Sequence, residues 1–247
     1  MAIWQDPRTT GASTATVGVP SVTRDAGLRS YMLSVYNYMA SGVLLTGIVA
    51  LGFANSSLIN LIVNPATGQA TPLFWIALFA PLGIVLALSF GINRISAGTA
   101  QALFWIYAGL VGVQFSSLFL VYTGVSIAQT FFAVTAGFLG LSLYGYTTKR
   151  DLSGLGTFLI MGVVGLLVAM LINLFLQSSA MAMAISAIGV LLFAGLTAYD
   201  TQKIKSMYAY VAGTEMMGKA VIMGALNLYL DFVNMFTFLL SFMGDRR

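Results

Sequence analysis

Apolar residues fall into seven long runs along the chain, separated by connections that are mostly short. Each run has about 20 residues, which is the length that an α-helix needs to cross the hydrocarbon core of a bilayer. Backbone groups inside lipid must be paired within their own segment, so uninterrupted runs of this length predict helices. The pattern therefore predicts an all-α integral membrane protein, a bundle of seven transmembrane helices. The runs cover residues 31–54, 73–91, 99–122, 127–146, 155–176, 180–199 and 221–243.

The segments outside the runs are polar and leave no room for a soluble domain. Residues 1–30 are rich in Gly, Ser, Thr and Ala and show no sustained period, which predicts a disordered N-terminal tail before a transmembrane domain at 31–245. This tail lacks the pattern of a secretory signal or a transit peptide, so we expect no cleavage there. The two longer connections are expected at 55–72 and 200–218.

Composition strengthens the membrane prediction and narrows the chemistry. Hydrophobic residues make up 59% of the 247 residues and charged residues only 7%, whereas soluble domains carry about a quarter charged residues. The mean hydropathy of +0.92 also indicates that lipid surrounds much of the chain. The chain has no Cys and no His, which excludes disulfides, thiolate chemistry and imidazole ligands. Proton chemistry therefore falls to carboxylates, and we expect no bound cofactor.

The basic residues predict the orientation of the chain. Nine of the eleven lie before the first run or in the connections two to three, four to five and six to seven, and the other three connections carry no charge. The positive-inside rule then places the N-terminus in the cytoplasm, and seven crossings place Arg246 and Arg247 on the other side. The net charge of +4 is scattered over loops beside the membrane, which favours contact with anionic lipid and not with nucleic acid.

The seventh run carries a polar stripe in otherwise apolar surroundings. The spacing of its members places them on one helix face. A chargeable group at such depth costs from about 2.5 kcal/mol upward, so the stripe should face the interior of the bundle or a water-filled cavity. The seventh helix is therefore predicted to be central. The stripe consists of Gly224, Asn227, Asp231, Asn234 and Ser241.

The sixth run offers a matching face of small and polar residues, which let helices approach closely. If the two faces meet, the carboxyls of Asp200 and Asp231 can share a proton and titrate as one unit. Arg94, at the end of the second run on the same side as Asp200, is the expected counter-ion. The matching face consists of Ser186, Gly189, Phe193, Thr197 and Asp200.

A structural alternative exists for each acid. Asp200 can be an interfacial residue paired with Lys203 or Arg94, and Asp231 can be a hydrogen-bonding group between helices. The height of the two acids is a further question, because Asp231 lies twelve residues beyond Lys219, roughly 18 Å along an ideal helix. For the acids to meet, the sixth helix must leave the membrane late, or part of 213–224 must lie outside the span.

Two stretches carry a family resemblance: "AYDTQKIK" at the end of the sixth run and "ALNLYLDFVNMFTFLL" in the seventh. They resemble the Bax inhibitor-1, or transmembrane Bax inhibitor motif, family in its bacterial branch, over residues 31–245. The resemblance implies a pH-sensitive calcium leak channel in the cell (inner) membrane. Its di-aspartyl site would be Asp200 and Asp231, which match by motif and would also be the ligands of any bound calcium. The latch of the closed pore would be Arg94, which matches by location.

Two other functions compete with this one. Paired intramembrane aspartates also suggest an aspartyl protease, in which one carboxylate activates water and the other donates a proton. Those proteases carry Gly-x-Gly-Asp and a later Pro-Ala-Leu, whereas here "FMGD" at Asp245 lacks the first Gly and Pro-Ala-Leu is absent, so we expect no enzyme. The other alternative is a regulatory membrane protein that binds membrane proteases or secretion machinery through its helices.

Overall fold

Helices form nearly all of the computed structural model, which describes residues 21–247. Seven helical segments are long and apolar enough to cross a membrane, with α3 and α4 together forming the third, and this confirms the predicted all-α bundle. A short 3-10 helix, Ser57–Leu61, lies between α1 and α2. The helices are α1 (Ser21–Ala54), α2 (Pro72–Gly91), α3 (Ala97–Ser116), α4 (Leu118–Val121), α5 (Gly124–Thr147), α6 (Ser153–Leu176), α7 (Ser179–Val211) and α8 (Met216–Met243).

The first helix is longer than its apolar run. It begins at Ser21, ten residues before the predicted start, so residues 21–30 are helical and not part of a disordered tail. These extra turns pack on the bundle, since Leu28 contacts the core and Gly27 leaves space for the ring of Tyr208. The apolar pattern missed them because turns beyond the bilayer need no continuous apolar surface. The rest of the predicted tail, residues 1–20, lies outside the described residues.

The sixth crossing is also longer than predicted, and this corrects the expected connection at 200–218. Helix α7 continues to Val211, and only residues 212–215 separate it from α8. Gly213 in this turn has φ +74°, a left-handed conformation that glycine adopts without strain. Asp200 then lies about 17 Å along α7 from the turn and Asp231 about 23 Å along α8. The two acids are therefore at similar depth.

Helix α8 is the centre of the bundle, as predicted for the seventh crossing. In its most apolar window 61% of the residues are buried, against 11–33% in the other six spans. It packs against α1, α3, α5 and α7. The outer helices expose large apolar side chains, such as Phe90, Phe132 and Phe175, on the surface that faces lipid.

The two ends of the bundle differ in charge and in the connections and chain termini that lie there. The basic side carries the start of α1 and the connections α2–α3, α5–α6 and α7–α8. The opposite side carries the other connections and the C-terminus. There Arg246 pairs with Tyr122 as an isolated antiparallel bridge, and the backbone N–H of Asp245 donates to the Ser126 hydroxyl at 2.9 Å. The C-terminus therefore lies across the membrane from the α7–α8 turn, in agreement with seven crossings.

Candidate functional site

Small residues bring α7 and α8 close together. A Cβ added to Gly189 would come within 2.6 Å of the ring of Phe238, and one added to Gly224 would come within 3.2 Å of Ile204. Glycine thus allows each helix to receive a large side chain of the other. The predicted face of α7 is the one that meets α8, and Asp200 lies at its end nearest the basic side.

The carboxyl groups of Asp200 and Asp231 meet at this interface. They lie within hydrogen-bonding reach of one another across the two helices. Asp231 is 3% exposed, whereas Asp200 is half-buried toward the basic side. The structure therefore brings together the two acids that the sequence singled out. We define the Asp200–Asp231 pair as the candidate site.

The Asp200–Asp231 pair has more hydrogen-bond acceptors than donors. Oδ2 of Asp231 is buried, and no N–H or O–H donor among the described residues reaches it. A buried acceptor without a donor is costly, and two ionised carboxylates in contact repel each other. A single proton held between the carboxyls removes both problems, because a protonated carboxyl donates to its neighbour. A cation between them would have the same effect.

Lys203 is the basic residue nearest to Asp200 along α7. It lies one helical turn further along α7, and its ammonium group is 5.8 Å from the ring centre of Tyr199. Lys205 is engaged elsewhere, since its ammonium group donates to the Tyr146 carbonyl at 2.7 Å. Arg94 is exposed in the turn after α2, and the structure does not bring it to the pair.

The other polar side chains of the stripe are less buried than that of Asp231. Asn227 and Asn234 are half-buried, and the amide of Asn234 donates within α8 to the Leu230 carbonyl at 2.8 Å. Ser241, the last member, is exposed. Asp231 is thus the one member of the stripe with a buried side chain and no satisfying donor in the described part of the chain.

Hydrogen bonds also hold α7 to its other neighbours near Asp200. The Gln202 amide donates to the Arg150 carbonyl at 2.7 Å and accepts from the Leu152 N–H at 2.9 Å, which fixes the α5–α6 connection. Thr201 donates to the hydroxyl of Ser142 on α5 at 3.5 Å. The segment of α7 around Asp200 is therefore anchored to α5 and to the α5–α6 connection.

Tyr229 is a site residue that sequence reasoning missed. It is fully buried, and its hydroxyl lies 2.6 Å from that of Thr46 on α1. The Thr46 hydroxyl in turn donates to the Ala108 carbonyl on α3 at 2.9 Å. Tyr229 stands two residues before Asp231, so the two side chains leave α8 in nearly opposite directions. A polar tyrosine two positions from the buried acid was the available signal.

The pair alone is a poor resident metal site. Calcium takes six to eight oxygen ligands, and among residues 21–247 no three Asp, Glu, His or Cys side chains lie close enough together to hold one metal ion. Two carboxyls can attract a passing cation without enclosing it.

Comparison with known proteins places the chain in a family. The family model described as "Inhibitor of apoptosis-promoting Bax1" matches residues 28–247. An uncharacterised protein of Rickettsia prowazekii is 51% identical over 95% of this chain and 97% of its own length. The inner membrane protein YbhL of Escherichia coli is 47% identical over 90% of this chain and 94% of its own, and an uncharacterised membrane protein of Streptococcus pyogenes is 37% identical over 89% and 94%. The chain is a membrane protein of the Bax inhibitor family.

Proposed function

We propose that this protein is a pH-sensitive calcium leak channel whose gate is the Asp200–Asp231 pair. The observation that carries the proposal is the contact of two carboxyls on the central helix interface, with Oδ2 of Asp231 buried and lacking a donor. Such a pair binds a proton or a cation in order to offset its own charge. Its position on α8 makes the seating of the central helix dependent on what is bound.

The gating step follows from the charges around the pair. With one proton between the carboxyls, α7 and α8 are held together at this point. As the pH rises the proton leaves, and two like charges in contact repel each other. Lys203, or a calcium ion that enters, offsets part of this repulsion. The remainder favours a displacement of α8 relative to α7, which we propose opens the pore.

Aromatic side chains of α8 are the proposed barrier on the opposite side of the pair. Phe232 packs against Phe131 and Phe138, with ring centres 5.7 and 5.6 Å apart, and Phe236 packs against Phe115 at 5.7 Å. These ring contacts join α8 to α3 and α5 in the part of α8 that runs from Asp231 toward the opposite side. A shift of α8 would move Phe232 and Phe236 together, which couples the carboxyl pair to the barrier.

We further propose that the N-terminus lies in the cytoplasm and that the protein resides in the inner membrane. The charge bias of the connections supports the orientation, and similarity to YbhL, an inner membrane protein, supports the inner membrane as the location. A reporter that works only outside the cytoplasm should be active when inserted in residues 55–72 and inactive in 148–152. The reverse pattern would reject this orientation.

Calcium flux into proteoliposomes, measured over a pH series, tests the proposal directly. The purified wild-type protein should leak calcium at a rate that changes with pH, and Asp231→Asn should flatten this change because the pair can no longer lose its shared proton. Asn234→Ala is the matched control, because Asn234 lies one turn further along the same stripe and does not titrate.

Two results would reject the gate. One is an Asp231→Asn profile that follows the wild-type profile, and the other is a wild-type protein that passes no calcium at any pH. The second result would favour the regulatory alternative, in which the bundle binds other membrane proteins.

A further inference from the structure

A groove of about 370 Å³ separates α1 from α5 in the half of the bundle nearer the opposite side. Its side walls come from α1, from the end of α3 with α4, and from the start of α5. Its back wall is α8, through Phe232, Val233 and Phe236. The groove therefore reaches from the outer surface of the bundle to the central helix.

The lining of the groove excludes water and ions as stable occupants. Its walls are almost entirely hydrocarbon, contributed by Leu, Ile, Val, Ala, Gly and Phe residues. The hydroxyl of Thr46, the polar side chain among the lining residues, is already bonded to Tyr229 and Ala108. A buried water needs two to four polar partners, and the groove offers none that is free. An occupant must therefore be apolar.

The mouth of the groove is continuous with the surface that faces lipid. Leu44, Ile48 and Phe132 line it and are 65%, 59% and 71% exposed. All three belong to membrane-spanning segments. The medium at the mouth is thus the hydrocarbon of the bilayer, and a lipid chain enters without crossing a polar region.

Size distinguishes a lipid chain from a helix of a partner protein. A helix with its side chains is about 10 Å across, so 370 Å³ corresponds to roughly one turn of such a cylinder. A helix can therefore cover the mouth but cannot enter. An acyl chain is narrow and flexible enough to follow the groove to its back wall. We propose that the groove is a binding site for one acyl chain of a membrane lipid.

A bound chain would pack against the side of α8 that carries Phe232, the residue next to Asp231. The space that it fills is the space into which Phe232 and Phe236 could otherwise move. Acyl-chain binding itself stands on the groove alone and does not rest on the proposed channel function. The two proposals can therefore fail separately.

Substitution of Gly47 by Leu is the sharpest probe of the site. Gly47 lines the groove, and no atom lies within 4 Å of the position that a Cβ would take, so a Leu side chain can project into the groove without a clash. Gly52→Leu is the matched control, because Gly52 lies on the same helix with equally open surroundings and does not line the groove. Ala128→Leu narrows the groove from α5 and gives a second, independent block.

The measurement uses the full-length protein in vesicles of phosphatidylcholine that carries a photoactivatable group on one acyl chain. After illumination, mass spectrometry locates the modified residues. We expect labelling concentrated on the groove residues of the wild-type protein. Gly47→Leu and Ala128→Leu should each lower it several-fold, whereas Gly52→Leu should leave it unchanged.

Two outcomes would overturn the proposal. One is labelling spread evenly over the lipid-facing surface and unaffected by either blocking variant, provided that both variants elute as the wild-type protein does. The other is a wild-type protein whose groove residues carry no label although the rest of the lipid-facing surface is labelled. Because neither readout uses calcium, a failed flux experiment would not affect this test.

Discussion

Helix α8 is held in two different ways on two of its faces. On one face the Tyr229 hydroxyl bonds to Thr46, which bonds in turn to Ala108, so α1 and α3 are tied to α8 by satisfied neutral groups. The rings of Phe104 and Tyr107 pack edge-on against Tyr229 at 6.0 and 5.4 Å. On the other face Asp231 meets Asp200 of α7 with one oxygen lacking a donor.

The difference separates a fixed contact from one that depends on the medium. Hydroxyl groups keep their charge state near neutral pH, so the Tyr229 contact should be the same across the physiological range. Carboxyl groups gain or lose protons, and a pair in contact changes its net charge as it does so. We infer that any pH-driven movement of α8 begins at α7, while α1 and α3 keep their hold.

The largest expected effect comes from removing either acid of the pair. Asp200→Asn and Asp231→Asn should each flatten the pH dependence of calcium flux, and the double variant should add little, because the two carboxyls act as one site. Flux into proteoliposomes over roughly pH 6 to 8 measures all four proteins. Simply additive effects of the two substitutions would show that the acids act independently, and the gate would then lie elsewhere.

A smaller effect, on stability, is expected at the Tyr229 contact. Tyr229→Phe removes the hydrogen bond between Tyr229 and Thr46, while the Thr46 hydroxyl keeps its bond to the Ala108 carbonyl. It should lower the free energy of unfolding by about 1–2 kcal/mol. The pH profile of flux should keep its shape, since no titrating group is lost. Unfolding by titration with a denaturing detergent measures the change. Tyr210→Phe on the exposed end of α7 is the control and should have no effect.

The opposite result would erase the contrast between the two faces. If Tyr229→Phe changed the pH profile as strongly as Asp231→Asn does, both faces would take part in gating. The proposed division into a fixed face and a switchable face would then be wrong.

The sequence predicted the fold and the pairing of the acids but not the extent of the helices. The seven crossings follow from the apolar runs, and the central position of α8 follows from the polar stripe around Asp231. Both could be predicted because a segment inside the bilayer must present apolar side chains to lipid. Helical turns outside the bilayer do not have to meet this requirement. The turns of α1 before Tyr31 and of α7 after Tyr199 are held by packing, such as that of Tyr31 with Tyr208, and packing partners are not visible in one sequence.

The predicted counter-ion, Arg94, shows a similar limit to what one sequence can reveal. The sequence places Arg94 on the same side of the membrane as Asp200, but depth in the membrane alone does not show which helices are neighbours. Helix α2 packs mainly on α3, whereas Asp200 belongs to α7, where Lys203 is the nearest basic residue along the helix. The latch role of Arg94 therefore stays a prediction that only function can test.

A moderate shift is expected from Lys203. Its charge favours the ionised state of Asp200, so Lys203→Gln should favour the shared proton and move the midpoint of the flux response to higher pH. The shift should be a fraction of a pH unit, because Lys203 is exposed and its field is screened by solvent. A midpoint that does not move would show that the charge of Lys203 is not felt at the pair during gating.

Arg94→Ala is the companion variant. If Arg94 latches the closed pore in a conformation other than this one, its loss should raise the basal leak at every pH. An unchanged leak in well-folded protein would make Arg94 a topology anchor. Together, Lys203→Gln and Arg94→Ala show which of the two cations affects gating by the Asp200–Asp231 pair.

The smallest effect is expected at Asp151, an acid in the connection between α5 and α6. Because it lies outside the membrane-spanning helices, Asp151 tests whether an isolated carboxylate contributes to the pH response. The side chain and backbone N–H of Ser153 donate to its carboxylate and hold the pKa of Asp151 below its ordinary value. Because the pKa is lowered, any stabilisation of the fold by the ionised Asp151 carboxylate is present at all pH values above its ordinary pKa. This stabilisation is lost only as the pH falls through the lowered pKa. Asp151 therefore stays ionised between roughly pH 6 and 8.

Asp151→Asn should accordingly leave the pH profile of calcium flux unchanged, although it removes a carboxylate only a few residues from the N-terminus of α6. The measurement is the same flux series that tests the pair. An altered profile would mean that a fully hydrated acid contributes to the response, and the response could not then be assigned to the contact between Asp200 and Asp231. An unchanged profile leaves proximity between two carboxyls, and not the mere presence of an acid, as the cause of the pH dependence.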